Sequence, residues 1–238
     1  MKAMILAAGR GERMGSLTDA TPKPLLRVGG RRLIEYSLES LRSAGFSQVV
    51  INIAYLGVQI REFCGDGGRW GLSIEYSDEG ERALETAGGI AKALPLLGGR
   101  RFLALNADVI CDYPLAELRD RGQGLAHLVM IDNPPHHAAG DFALQGGVLS
   151  QTGAENLTFS GIGVYEPALF AALPLEPLRL RPVLEQAMLD RQVRGEHYRG
   201  FWRDIGSPGR LQEAVQSLDR LNPNPGYPSP DSSDSGQA

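Results

Sequence analysis

The chain of 238 residues is 42% apolar and 22% charged, with 30 glycines and 15 prolines. That balance suits one globular α/β unit with at most a modest subdomain and excludes collagen-like or wholly disordered chains. Its 24 basic and 28 acidic residues leave a net charge of −4, so no overall field attracts nucleic acid or an anionic membrane, and any anionic ligand must be held by a local site. Cys64 and Cys111 give neither a disulfide framework nor a metal-ligand spacing, and no apolar run approaches a signal or membrane-spanning segment. The sequence therefore predicts a soluble cytoplasmic protein with no nucleic-acid or membrane partner, of unspecified oligomeric state.

In chain order, apolar runs at Ala3 to Ala7, Val49 to Ile53, Leu72 to Tyr76, Phe102 to Leu105 and Ala126 to Ile131 read as strands. Helical periodicity lies between them at Leu33 to Ala44, Tyr55 to Cys64, Glu85 to Leu97 and Pro114 to Arg121. Strands apolar on both sides, alternating with helices, predict a doubly wound, mainly parallel α/β sheet over residues 1–131, with ligands gathered at the strands' carboxyl ends. Short strands then flank Gly146-Gly147, and Leu157 to Tyr165 follows. Helices near Pro167 to Ala172 and Pro182 to Arg191 and a strand at Gly195 to Tyr198 complete a small mixed α+β lobe over 132–200. Residues 201–221 hold a turn and a closing helix that starts at Ser207-Pro208, a cap followed by the residue best suited to a first helical position. Asn222 to Ala238, with four prolines and four serines, lacks the apolar surface to offset ordering and reads as a disordered tail.

Directly after the first strand comes Leu6-Ala7-Ala8-Gly9-Arg10-Gly11-Glu12-Arg13-Met14. Its glycines let backbone N–H groups approach phosphate oxygens, and its arginines offer forked donors. No Gly-Lys-Ser/Thr closes it as a Walker loop, and Met14 stands where a dinucleotide fingerprint needs a third glycine. Ten residues on, Lys23 sits between Pro22 and Pro24, in an extended stretch that presents its ammonium. His136-His137 lacks a companion ligand set and reads as surface loop.

The loop and the Pro-Lys-Pro segment together resemble the sugar-phosphate nucleotidyltransferases. The similarity continues through Leu33-Ile34-Glu35-Tyr36, Leu84-Glu85-Thr86-Ala87-Gly88-Gly89, Leu105-Asn106-Ala107-Asp108 and Trp202-Arg203-Asp204-Ile205-Gly206-Ser207-Pro208. Within the family, Ala54-Tyr55-Leu56-Gly57 and Thr158-Phe159-Ser160-Gly161-Ile162-Gly163 look most like the uridylyltransferase branch that acts on N-acetylmuramate 1-phosphate. The resemblance implies UTP and a sugar 1-phosphate as substrates. Mannose-1-phosphate guanylyl transfer, glucose-1-phosphate uridylyl transfer and a non-catalytic nucleotide-sugar module stay open beside that reading.

It further implies Mg²⁺ on Asp108 and Asp204, with Arg13 and Lys23 as the catalytic cations. Leu6, Ala7, Ala8, Gly9, Gly11, Glu12, Arg13, Lys23 and Gly88 fall in the nucleotide site, where Glu81 or Glu85 is offered to the base. Asn106, Gly140, Glu155 and Asn156 fall on the sugar phosphate. Ser16 and Ala107 depart from the common proline and glycine of the family. The last lysine is Lys92, so an arginine such as Arg179, Arg181 or Arg203 must stand in for a second-lobe lysine, or Lys23 must serve both phosphates.

Overall fold

A computed structural model describes residues 1–221; the tail expected over 222–238 lies outside the described residues. The strands are β1 (Ala3–Leu6), β2 (Arg27–Val28), β3 (Arg31–Arg32), β4 (Gln48–Ile53), β5 (Ser73–Asp78), β6 (Phe102–Asn106), β7 (Val109–Cys111), β8 (Ala126–Ile131), β9 (Phe142–Gln145), β10 (Val148–Ser150), β11 (Asn156–Tyr165), β12 (Val193–Tyr198) and β13 (Trp202–Asp204). The α-helices are α1 (Leu33–Ser43), α2 (Gly57–Cys64), α3 (Glu85–Leu97), α4 (Leu180–Leu189) and α5 (Pro208–Leu221). Pro114 to Arg121 and Pro167 to Ala172, expected as helices, hold only 3₁₀ turns at Leu115–Asp120 and Pro167–Leu169.

Nine strands form one sheet in the order β5-β4-β1-β6-β11-β8-β12-β10-β9. The first four run parallel, as the unbroken apolar runs predict. The sheet as a whole is mixed, which corrects the expectation of a mainly parallel one. β11 inserts antiparallel between β6 and β8, β12 pairs parallel with β8, and the β9-β10 hairpin closes the far edge antiparallel. Gly146 and Gly147, both at positive φ, turn that hairpin, and a two-residue link permits only an antiparallel return. The strands of the lobe thus continue the same hydrogen-bonded sheet.

Alternation along β1 explains its lack of polar positions. Ala3 and Ile5 pack with Ile34, Leu38 and Ile60 of α1 and α2, whereas Met4 packs with Ala87, Ile90 and Ala93 of α3 on the other face. α1 begins where Glu35 accepts the Arg32 N–H at 2.6 Å, a capping bond, and stops at Ala44-Gly45, where Gly45 takes φ 76°. α3 is capped by the chain that leads into α4: Ala87 and Gly88 N–H groups donate to the Leu178 carbonyl at 2.9 and 3.3 Å.

Candidate active site

The carboxyl ends of β5, β4, β1 and β6 open onto one cavity of about 670 Å³. Leu6, Ala7, Ala8, Gly9, Gly11, Glu12 and Arg13 line it from the loop after β1, and Lys23 from the turn that follows. Asn52, Glu79, Asn106 and Asp108 stand at the ends of the neighbouring strands, and Glu85 and Thr86 open α3. Lys23, expected to be extended because it precedes Pro24, instead begins a 3₁₀ turn over Lys23–Leu25 after an extended Pro22, and this turn carries the buried Lys23 side chain inward to pair with Asp108 Oδ2. Gly11 takes φ 72°, and its missing Cβ leaves room for Lys23 Cβ and Cδ, which such an atom would meet at 3.2 and 3.3 Å. One glycine therefore serves both the left-handed turn and the path of the lysine.

Two buried residues that sequence reasoning passed over brace this cavity. Asn52 Oδ1 accepts the Ala7 N–H at 2.7 Å, and its Nδ2 donates to Glu79 Oε1 at 2.7 Å. Glu79 Oε2 accepts the Leu84 N–H at 2.6 Å. Burial raises the Glu79 carboxyl above its usual range, against the lowering effect of the Leu84 and Asn52 hydrogen bonds. A Cβ on Gly89 would overlap Glu79 Oε1, so the small residue in α3 makes space for the carboxylate. The signal that could have found them was position: each lies at or just past the carboxyl end of a parallel strand.

Asp108 and Asp204 come together through their backbones. Asp204 pairs with Val109 across the β7-β13 ladder, and the Ile205 N–H donates to the Asp108 carbonyl at 2.8 Å. Their side chains enter adjoining cavities: Asp108 lines the first, and Asp204 a second of about 370 Å³ with Asn133, His136, Tyr198, Arg199, Trp202, Arg203, Arg210 and Glu213 among its walls.

The family profile described as nucleotidyl transferase matches residues 2–146. The N-acetylmuramate alpha-1-phosphate uridylyltransferase of Neisseria meningitidis serogroup B is 48% identical, over 90% of this chain and 96% of that protein. The chain belongs to the nucleotidyl transferase family. The mannose-1-phosphate guanylyltransferase catalytic subunit beta of Xenopus tropicalis is 30% identical over 87% of the chain and 62% of its own length. A crystal structure of a putative glucose-1-phosphate thymidylyltransferase from Bacillus anthracis shares the fold with TM-score 0.81 at 22% identity, covering 92% of this chain and 95% of that one.

In this nucleotidyl transferase, several residues marked by the sequence lie away from both cavities. Glu81 is exposed on the loop after β5 and lines neither cavity; the shorter reach belongs to Glu79, directly after the strand. Gly88 faces the incoming chain, where a Cβ would overlap the Glu176 carbonyl oxygen. Gly140, at φ 64°, would bring a Cβ within 2.7 Å of Asn133 Oδ1 and 2.9 Å of the Asn156 carbonyl oxygen. Asn156 accepts Asn133 Nδ2 at 2.9 Å through that carbonyl, and Thr158 Oγ1 donates to Asn133 Oδ1 at 2.8 Å. These residues hold Asn133, which itself lines the second cavity. Glu155 is exposed and lines neither cavity.

The donor set suits a hard divalent ion. Asp108, just before β7, and Asp204, on the partner strand β13, line adjoining cavities; Lys23 pairs with Asp108, while Arg210 and His136, whose Nε2 lies 3.3 Å from Oδ1, pair with Asp204. Among the described residues no group of three or more acidic, histidine or cysteine side chains is arranged to hold a metal ion. Sparse protein ligation completed by phosphate and water is how Mg²⁺ is usually held.

Proposed function

We propose that the chain transfers UMP from UTP to N-acetylmuramate 1-phosphate, giving UDP-N-acetylmuramate and pyrophosphate, a step of peptidoglycan recycling in the cytoplasm. The observation that carries this reading is the 48% identity to a uridylyltransferase of that name across nearly its full length, against 30% for the guanylyltransferase.

The chemistry asks for neutralisation and alignment more than for a base. An acceptor phosphomonoester with a second pKa of about 6 is mostly dianionic at pH 7 and already nucleophilic. Charge crowds the reacting phosphorus, so cations and backbone donors aimed at it dominate the acceleration. In this reading the backbone of Gly9 and Gly11 approaches the triphosphate, Arg13 grips its outer phosphates, and Lys23 serves the phosphate undergoing transfer. Asp108 and Asp204 would hold Mg²⁺, which when bound offsets charge on the phosphate oxygens. Glu85, exposed and without a partner among the described residues, offers an acceptor for the N3–H of uracil. Both oxygens of Glu79 are already engaged. In the same reading Asn106, which lines the first cavity, would face the reacting phosphates, and the lobe over 132–200, whose Asn133 lines the second, would supply the sugar contacts.

Pyrophosphate release should be measured with Mg²⁺ over four nucleoside triphosphates and a set of hexose 1-phosphates. UTP with N-acetylmuramate 1-phosphate is expected to give the highest kcat/KM. A maximum at GTP with mannose 1-phosphate, or at UTP with glucose 1-phosphate, would replace the reading. Nucleotide-dependent stabilisation with no release for any pair would make the chain a binding module.

A further inference from the structure

The sequence leaves open which arginine replaces the missing second-lobe lysine. Arg181 is engaged by Glu185 Oε1 at 2.8 Å and by Asp141, and Arg203 is exposed over the Phe201 ring. Arg210, in the first turn of α5, is placed differently. It folds back over Gly206 so that Nη1 meets Asp204 Oδ2 and stands 2.8 Å from His136 Nε2, while Nε lies 3.4 Å from Ser207 Oγ. Its side chain is only 15% exposed. A Cβ on Gly206 would overlap Arg210 Nη2 and approach Asp204 Oδ2 to 3.1 Å, so this approach exists because residue 206 is glycine. Gly206 lines the first cavity, whereas Arg210 and Asp204 line the second. The guanidinium therefore stands at the partition between them.

We propose that Arg210 is an exchangeable counter-ion: it holds Asp204 until a divalent cation takes that carboxylate, and then turns to the phosphate of the acceptor sugar in the second cavity. The acceptor half of this inference rests on the sugar-phosphate reading above. A guanidinium and a doubly charged ion on one carboxylate repel at a separation of a few ångströms. A planar fork of donors matches phosphate oxygens in pairs, which an ammonium does not. Arg210 has only one side-chain turn to make, because the second cavity is already its own surroundings. Metal loading and acceptor binding would thereby be linked through one side chain, each favouring the other.

The test compares wild type, Arg210→Ala and Gly206→Ala, all as the full chain with melting followed as a check. Mn²⁺ binding without substrate is read by the paramagnetic signal of the free ion, and acceptor KM is read with Mg²⁺ and UTP. Arg210→Ala should bind Mn²⁺ roughly two- to fivefold more tightly, the scale of one partly exposed ion pair. Its acceptor KM should rise about 10- to 100-fold, the range for a hydrogen bond between charged groups, with the KM for UTP nearly unchanged. Gly206→Ala displaces the guanidinium but keeps it; it should match the tighter Mn²⁺ binding and show a much smaller rise in acceptor KM. Weaker or unchanged Mn²⁺ binding in Arg210→Ala would mean that the arginine merely props Asp204, and an unchanged acceptor KM would remove it from the acceptor site; either result overturns the inference. If N-acetylmuramate 1-phosphate is no substrate of the wild type, the uridylyltransferase reading fails by itself, and the same comparison is made with whichever sugar phosphate turns over best.

Discussion

Lys23 is buried and ends on a carboxylate that lines the nucleotide cavity. Lys23→Ala should lower turnover by about 10²- to 10³-fold, the scale for removing one donor aimed at transition-state charge. The fold should survive, because Asp108, with its side chain 29% exposed, can be solvated when its partner is gone. Undiminished nucleotidyl transfer by a normally melting variant would dismiss Lys23 from the chemistry. Glu85 makes a complementary case. It opens α3 at φ 57°, a left-handed backbone that costs a side-chain-bearing residue about 1 kcal/mol. Glu85→Gly should therefore melt higher by up to that amount, less the freedom glycine gains in the unfolded chain, while the KM for UTP rises; a lower melting point would show that the carboxylate stabilises the turn. The loop after β1 and Lys23 stood out because glycine, proline and charge fall together in a short stretch, whereas Asp108, a lone acid after an apolar strand, was marked only by the family resemblance. Asn52 and Glu79 were not, since a buried amide and a buried acid look ordinary until the strands that carry them are aligned.

Individual elements are tied by polar groups that periodicity does not register. Glu196 of β12 faces His127 of β8, whose Nε2 is 3.5 Å from Oε1, and also receives the Tyr113 hydroxyl and Arg121 Nη2 from the segment after β7. His127, with Tyr113 and Arg121, holds the Glu196 carboxyl below its ordinary value despite burial. A lowered folded-state pKa adds stability above the unfolded carboxylate range, near 4.3, and loses it as pH falls through the folded value. Glu196→Gln should thus be less stable than wild type in urea at pH 7, and the gap should narrow below about pH 4. A gap that does not change with pH would assign the loss to packing. The long elements, β4, β8, α1 and α3, lay close to where apolar spacing puts them. The two-residue strands β2 and β3 and the β7-β13 ladder did not show, because three residues or fewer carry no period and their pairing is decided by distant chain, while the 3₁₀ turns at Leu115–Asp120 and Pro167–Leu169 read as helices.

At the scale of the whole molecule, the nucleotide half and the lobe share one hydrogen-bonded sheet from β5 to β9. Trp70 is buried beside β5, and Trp202 on β13 donates to the Ser160 carbonyl of β11 at 2.9 Å. Trp70→Phe and Trp202→Phe each leave one indole as a reporter, and both should give the same denaturation midpoint as far-ultraviolet circular dichroism once corrected for any shift caused by the substitution itself. Separate midpoints would mean that the halves unfold independently. The sequence could not reveal this unity. The pairing of β11 with β6 joins residues more than 50 apart in the chain, and the glycine-rich hairpin before β11 reads locally like a separate piece.

The inserted strand also limits how such an enzyme can change its diet. Opening wider for a bulkier sugar would mean tearing main-chain bonds along β6 and β8, so the jaw cannot simply be hinged. New acceptors must be admitted by rewriting the segments that follow β8 and β12, where the second cavity takes its walls. The chassis then stays fixed while its menu is edited at the edge.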